Sequence, residues 1–96
     1  MTKHEQYFLD MLEDRHQQFS HFKKIHDLYL IDPKKWQNEF NAHGKIIMDI
    51  IREWERRLCS HSEKGKYGVF SAGLADKFWN LVRREFPKID FVGVIQ

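Results

Sequence analysis

The 96 residues carry sixteen Lys and Arg against fourteen Asp and Glu, and 42% of them are hydrophobic, 15% aromatic and 31% charged. This length excludes two independently folding domains, and this aromatic content excludes intrinsic disorder. A formal net charge of +2 is too small to signal a nucleic acid or an anionic membrane by itself.

Apolar residues at Phe8, Leu12, Phe19, Phe22 and Tyr29, flanked by Met11, Ile25 and Leu28, follow helical spacing. No Gly or Pro interrupts the pattern, which predicts one continuous first helix over about residues 4–31. Asp32 followed by Pro33 reads as an N-cap with proline at the first helical position, where a missing N–H is harmless. A second helix is predicted from there to about residue 60. Its apolar stripe of Trp36, Phe40, Ile47, Ile50, Trp54 and Leu58 is broadened by Ile46 and Ile51. So short a connection folds the two helices into a long antiparallel hairpin. Gly44 is the weak point of the second helix, since a mid-helix glycine costs about 1 kcal/mol relative to alanine. The reading keeps that helix continuous.

Residues 60–68 combine turn formers and charges without an apolar period and are expected to form a loop. Ser71 offers an N-cap for a third helix to about Glu85, with Leu74, Phe78, Leu81 and Val82 on one side and Pro87 closing it. The remaining residues, 88–96, are β-branched and aromatic, which predicts a short C-terminal strand or an extended tail. The expected fold is therefore all-α or mainly α, a single helical domain over residues 1–96.

Cys59 is the one cysteine, so no intramolecular disulfide forms, and a reducing cytoplasmic setting is expected. The N-terminus is charged at once and lacks the apolar stretch of a signal peptide. Ile46 to Ile51 is interrupted by Asp49 and is far shorter than the roughly 20 residues a membrane span requires. No membrane association is expected. Arg56, Arg57 and His61 near Cys59 suggest a stabilised thiolate, but no orienting acid accompanies them. The thiol reads as a small packing group, and no catalytic residue or cofactor is assigned.

Three functional readings remain. The apolar face of the second helix is wider than one neighbour covers, which points to a protein-binding, adaptor or regulatory domain that self-associates. Two hairpins pairing as a four-helix arrangement meet that need. The expected interface residues are Phe19, Phe22, Trp36, Phe40, Ile47, Ile51 and Trp54 on the helices, with Phe91, Val92 and Val94 on the tail. An alternative rests on charge, which runs −2 over residues 1–32, +1 over 33–63 and +3 over 64–96. Arg56, Arg57, Lys64, Lys66, Arg83 and Arg84 would then bind nucleic acid or a phosphate ligand. A second alternative is a metal or haem site built from Glu13, His16, His21, His26, Glu39 and His43. His21 and His43 are expected at similar heights about the turn, but the Glu-x-x-His motif of di-iron bundles occurs once.

Overall fold

Thr2 opens helix α1 (Lys3–Asp14): its hydroxyl accepts from the Glu5 backbone N–H, and the Glu5 carboxylate accepts from the Thr2 N–H at 2.9 Å. This reciprocal capping box satisfies two backbone donors at a helix start. The hydrogen bond from the Thr2 hydroxyl is also the first cause holding the Glu5 carboxyl below its ordinary range. The computed structural model describes residues 1–63 and 68–94, and the side chains among these apart from 61–63 and 68–72.

The expected single first helix is interrupted. Arg15 leaves the helical region at φ −116° and ψ 40°, and helix α2 (His16–Ile31) continues beyond it. Neither Gly nor Pro is responsible; the apolar stripe lapses. All of residues 13–18 are exposed, so between Leu12 and Phe19 no packing holds the helix to one direction. The break costs little hydrogen bonding, because the Arg15 N–H still reaches the Met11 carbonyl and the Phe19 N–H reaches that of Arg15.

Asp32 caps helix α3 (Pro33–Glu63), its carboxylate accepting from the Lys35 N–H at 3.3 Å. These 31 residues, at 1.5 Å each, make a rod of about 46 Å, which matches the 46 Å long axis of the molecule. Helix α4 (Gly68–Glu85) begins before Ser71, so Ser71 lies inside it and is not its cap. Likewise Ser60 to Glu63 extend α3 where a loop was expected. Without a proline to stop it, a nucleated helix gains a hydrogen bond per added residue and absorbs such serines.

Helix α3 is covered in two halves. Its first half packs on α2, where Phe40 stacks on Tyr29 with ring centroids 4.0 Å apart and on Phe22 at 5.4 Å. Its second half meets α1 and α4, with Tyr7 of α1 edge-on to Trp54 and Phe8 of α1 edge-on to Phe78 of α4. Bending at Arg15 lets one N-terminal stretch serve both halves. Phe22, Phe40, Phe78, Phe86, Met11, Ile47, Ile51 and Leu58 are wholly enclosed.

The C-terminal segment is not a strand. After Pro87 a single 3-10 turn (Ile89–Phe91) leads into Val92, and among the described residues no strand occurs. β-branched residues favour strands only where a neighbouring strand accepts their backbone bonds, and helices alone surround this one. The tail instead lies on α3 at Gly44, through which the helix runs unbroken. A Cβ built at Gly44 would stand 2.6 and 2.8 Å from the two methyls of Val92. Close approach, not flexibility, explains that glycine. Gly93 adopts φ +91°, a left-handed conformation that other residues take only with strain.

Candidate functional site

The half of the hairpin nearest its turn is tied to the tail by a continuous polar chain. Tyr29 donates its hydroxyl to Gln37 Oε1 at 2.9 Å, and Gln37 Nε2 donates to Asn41 Oδ1 at 2.8 Å. Asn41 Oδ1 also accepts from the Gly93 N–H at 2.8 Å, while Asn41 Nδ2 donates to the Val94 carbonyl at 2.9 Å. Asn41 therefore reads the tail backbone through both ends of its amide. Tyr29 and Gln37 are buried, so the bond between them stands where water does not compete, whereas the Asn41 bonds to the tail are exposed. Tyr29→Phe is expected to lower stability by about 1–2 kcal/mol, because a buried amide oxygen loses its donor. Urea unfolding checks this; a stability equal to the unmodified protein's would contradict the geometry.

His26 makes the second tie. Its imidazole is fully buried, and Nε2 accepts from the Lys88 backbone N–H at 3.1 Å. Since that N–H can only donate, Nε2 is unprotonated, and the ring proton sits on Nδ1 beside Asp27 Oδ1 at 3.2 Å. Burial pushes the imidazole pKa below its ordinary value; the Asp27 hydrogen bond opposes this without overcoming it. The residue expected as a metal ligand is thus a neutral fastener between α2 and the tail.

The other candidate ligands are spread along the molecule. Glu13 and His16 are exposed on either side of the Arg15 break, and His16 Nε2 lies 3.3 Å from Ser20 Oγ. His21 and His43 do meet, rings edge-on with centroids 4.7 Å apart. Glu39 is exposed one turn before His43. Among the described residues no three His, Cys, Asp or Glu side chains gather closely enough to hold a metal ion.

The basic candidates are mostly occupied by neighbours. Arg56 and Arg57 share Glu53, at 2.9 and 3.3 Å, and Arg57 also stacks on Trp54. Arg83 pairs with Asp90 at 3.0 Å and lies over Trp79, whose indole N–H donates to Glu55. Exposed pairs of this kind contribute little to stability, but they offset the cationic field a phosphate would feel. Arg84 is exposed beside His4 and Lys77 on the rim of an open groove. Lys64 and Lys66 lie outside the described residues.

The expected interface is corrected most. Phe19, Phe22, Phe40, Ile47 and Ile51 are buried within the subunit by α1, α2, α4 and the tail, so they present no surface to a partner. Trp36, Trp54 and Val92 are half-buried, the last against Gly44. The kink at Arg15 and the folded-back tail cover most of the broad face of α3, and Ile46 at its edge stays 54% exposed. Phe91 and Val94 remain exposed. Sequence reasoning passed over Leu30 and Ile31 and treated Leu28 as a flank of the core; they are 46%, 81% and 38% exposed. The signal was available: Leu28-Tyr29-Leu30-Ile31 is a run of four apolar residues, and one buried helix face cannot take them all.

These features define a class: a small all-α protein whose helical hairpin is locked to residues 88–94, with exposed apolar side chains at the hairpin turn (Leu28, Leu30, Ile31) and others at Leu9 and Ile46. No protein-family model matches the chain, and no curated protein or solved structure is significantly similar to it. Among the described residues no helix is long and apolar enough to cross a membrane.

Proposed function

We propose that the chain is a cytoplasmic, non-catalytic interaction module that pairs with a second copy of itself through the hairpin turn and the adjoining tail. The observation that carries this reading is the exposure of Leu28, Leu30 and Ile31 together in the last turn of α2. Scattered exposed aliphatics are ordinary, but several within one turn make a patch whose burial is favourable. Phe91 and Val94 are also exposed, on a tail that Asn41 and His26 hold to the same half of the hairpin. A lone cysteine suits a reducing compartment.

The energetics favour a weak pair. Side chains already partly covered contribute roughly 1 kcal/mol each when the remainder is buried. Association costs at least about 4 kcal/mol in lost translation and rotation, so a dissociation constant of about 10 μM to 1 mM is expected. Sedimentation velocity from about 5 μM to about 500 μM protein is expected to show a monomer giving way to a dimer. Leu30→Glu with Ile31→Glu is expected to leave a monomer throughout, with the helical circular dichroism unchanged. A monomer at every concentration in the unmodified protein would remove the proposal.

A further inference from the structure

We infer that His26 and residues 88–94 form a proton-sensitive latch: protonation of the buried imidazole releases the tail from the hairpin while the helices stay folded. This inference is independent of the self-association reading and concerns contacts within one subunit.

The geometry is specific about which form of the ring holds the tail. The neutral ring with its proton on Nδ1 offers a lone pair at Nε2 to the Lys88 N–H, 3.1 Å away. The imidazolium has a proton on both nitrogens, so Nε2–H would face N–H, donor against donor, at a position closed to water. Uncharged groups form most of the enclosure: the rings of Phe22 on α2, Phe40 on α3 and Phe86 after α4 lie 5.8 to 6.3 Å from the imidazole.

The charged groups near the ring do not stabilise the cation enough to hold it in place. On α2, Asp27 favours it and Lys23 opposes it; on α4, Glu85 favours it, but Lys23 sits 3.9 Å from that carboxylate and caps the Glu85 carbonyl at 2.7 Å. From the tail, the Lys88 ammonium lies over the Phe91 ring, and Asp90 is taken by Arg83. Desolvation outweighs the favourable contacts.

The sign of the pH dependence follows from linkage. With the pKa depressed in the latched state, the released state binds more protons over the window below the ordinary histidine value of about 6.5. The latch is therefore whole above that value, weakens as pH falls below it, and is lost once pH has passed the depressed value.

Release stays local because residues 88–94 have few other fastenings among the described residues. These are Asn41 to Gly93 and Val94, Val92 on Gly44, the buried Ile89 and the exposed Arg83–Asp90 pair. The helices are held by separate aromatic contacts along α3 and by their own backbone bonds.

Amide hydrogen exchange on the full chain tests this at about pH 8 and about pH 5, corrected for intrinsic rates. Protection at Ile89, Phe91 and Val92 is expected to fall at least tenfold at the lower pH, while protection in α3 and α4 is retained. His26→Gln, which keeps an acceptor but takes no charge, is expected to abolish that difference. Gly44→Ala, which crowds Val92 without touching the ring, is expected to lower tail protection at both values. In case His26→Gln fails to fold, an NMR titration of the unmodified protein follows the His26 ring and the Val92 methyls, which are expected to shift with one midpoint. Tail protection unchanged with pH, or lost in the same transition as the helices, would overturn the latch. So would separate midpoints for His26 and Val92.

Discussion

Phe22→Ala is expected to remove about 3–5 kcal/mol of unfolding free energy, the range for deleting a fully buried ring. A chain of this length has only about 5–14 kcal/mol in total, so the variant should be marginal at room temperature. The size of the loss follows from position. Phe22 is wholly enclosed, and its ring lies 5.4 Å from that of Phe40 on α3 and 5.2 Å from that of Phe86 after α4. Three separate stretches of chain meet on one side chain, and a cavity there is walled by stiff aromatic rings that cannot collapse into it. Urea unfolding followed by circular dichroism measures the effect. A loss below about 1 kcal/mol would mean that the three stretches do not meet on this ring.

The second large effect has a sign that depends on tertiary structure. Helix propensity alone makes Gly44→Ala stabilising by about 1 kcal/mol, since alanine is the better helix former. The tail reverses this. A new methyl at 2.6 and 2.8 Å from the Val92 branches, with the Val92 Cβ itself at 3.2 Å, cannot be relieved by turning the end of a long side chain. Either Val92 retreats with the tail or α3 moves, and a net loss of about 1–2 kcal/mol is expected after the propensity gain is counted. Val92→Ala supplies the control. In that background both methyl contacts are gone and the Cβ at 3.2 Å remains, so Gly44→Ala should cost less than in the unmodified protein and the double-mutant cycle should show a coupling of about 1–3 kcal/mol. Additivity would mean that Gly44 and Val92 do not touch.

Much of the architecture was legible because its signals are local. Asp32-Pro33 marks the hairpin turn and the start of α3, as the spacing of acid and proline predicts. Pro87 marks the end of α4. The stripe Phe40, Ile47, Ile51 and Leu58 is the buried face of α3. The break at Arg15 was not legible in the same way. Its cause is an absence of apolar residues over one turn, and such a gap becomes a bend only when distant elements pull the two flanking stretches in different directions. Similarly, Ile89 and Val92 have strand-like chemistry, but among the described residues there is no strand for them to pair with.

The candidate site divides along the same line. His21 meeting His43 followed from their equal distance from the turn. The run Leu28 to Ile31 carried its own signal in four consecutive apolar residues. The pairing of His26 with Lys88 and of Asn41 with Gly93 spans 62 and 52 residues, and nothing in either local pattern announces a partner so far away.

By itself, then, the sequence determined the helical class, the hairpin turn, the buried stripe of α3 and the closing proline, all set by periodicity and backbone chemistry within a few residues. Tertiary structure decided that α1 and α2 are separate, that the tail folds back onto Gly44, and that the aromatic side chains expected at an interface are core. The physical reason is burial. Whether an apolar face needs a partner depends on the area its own chain leaves uncovered, and that area is set by contacts between residues far apart in sequence.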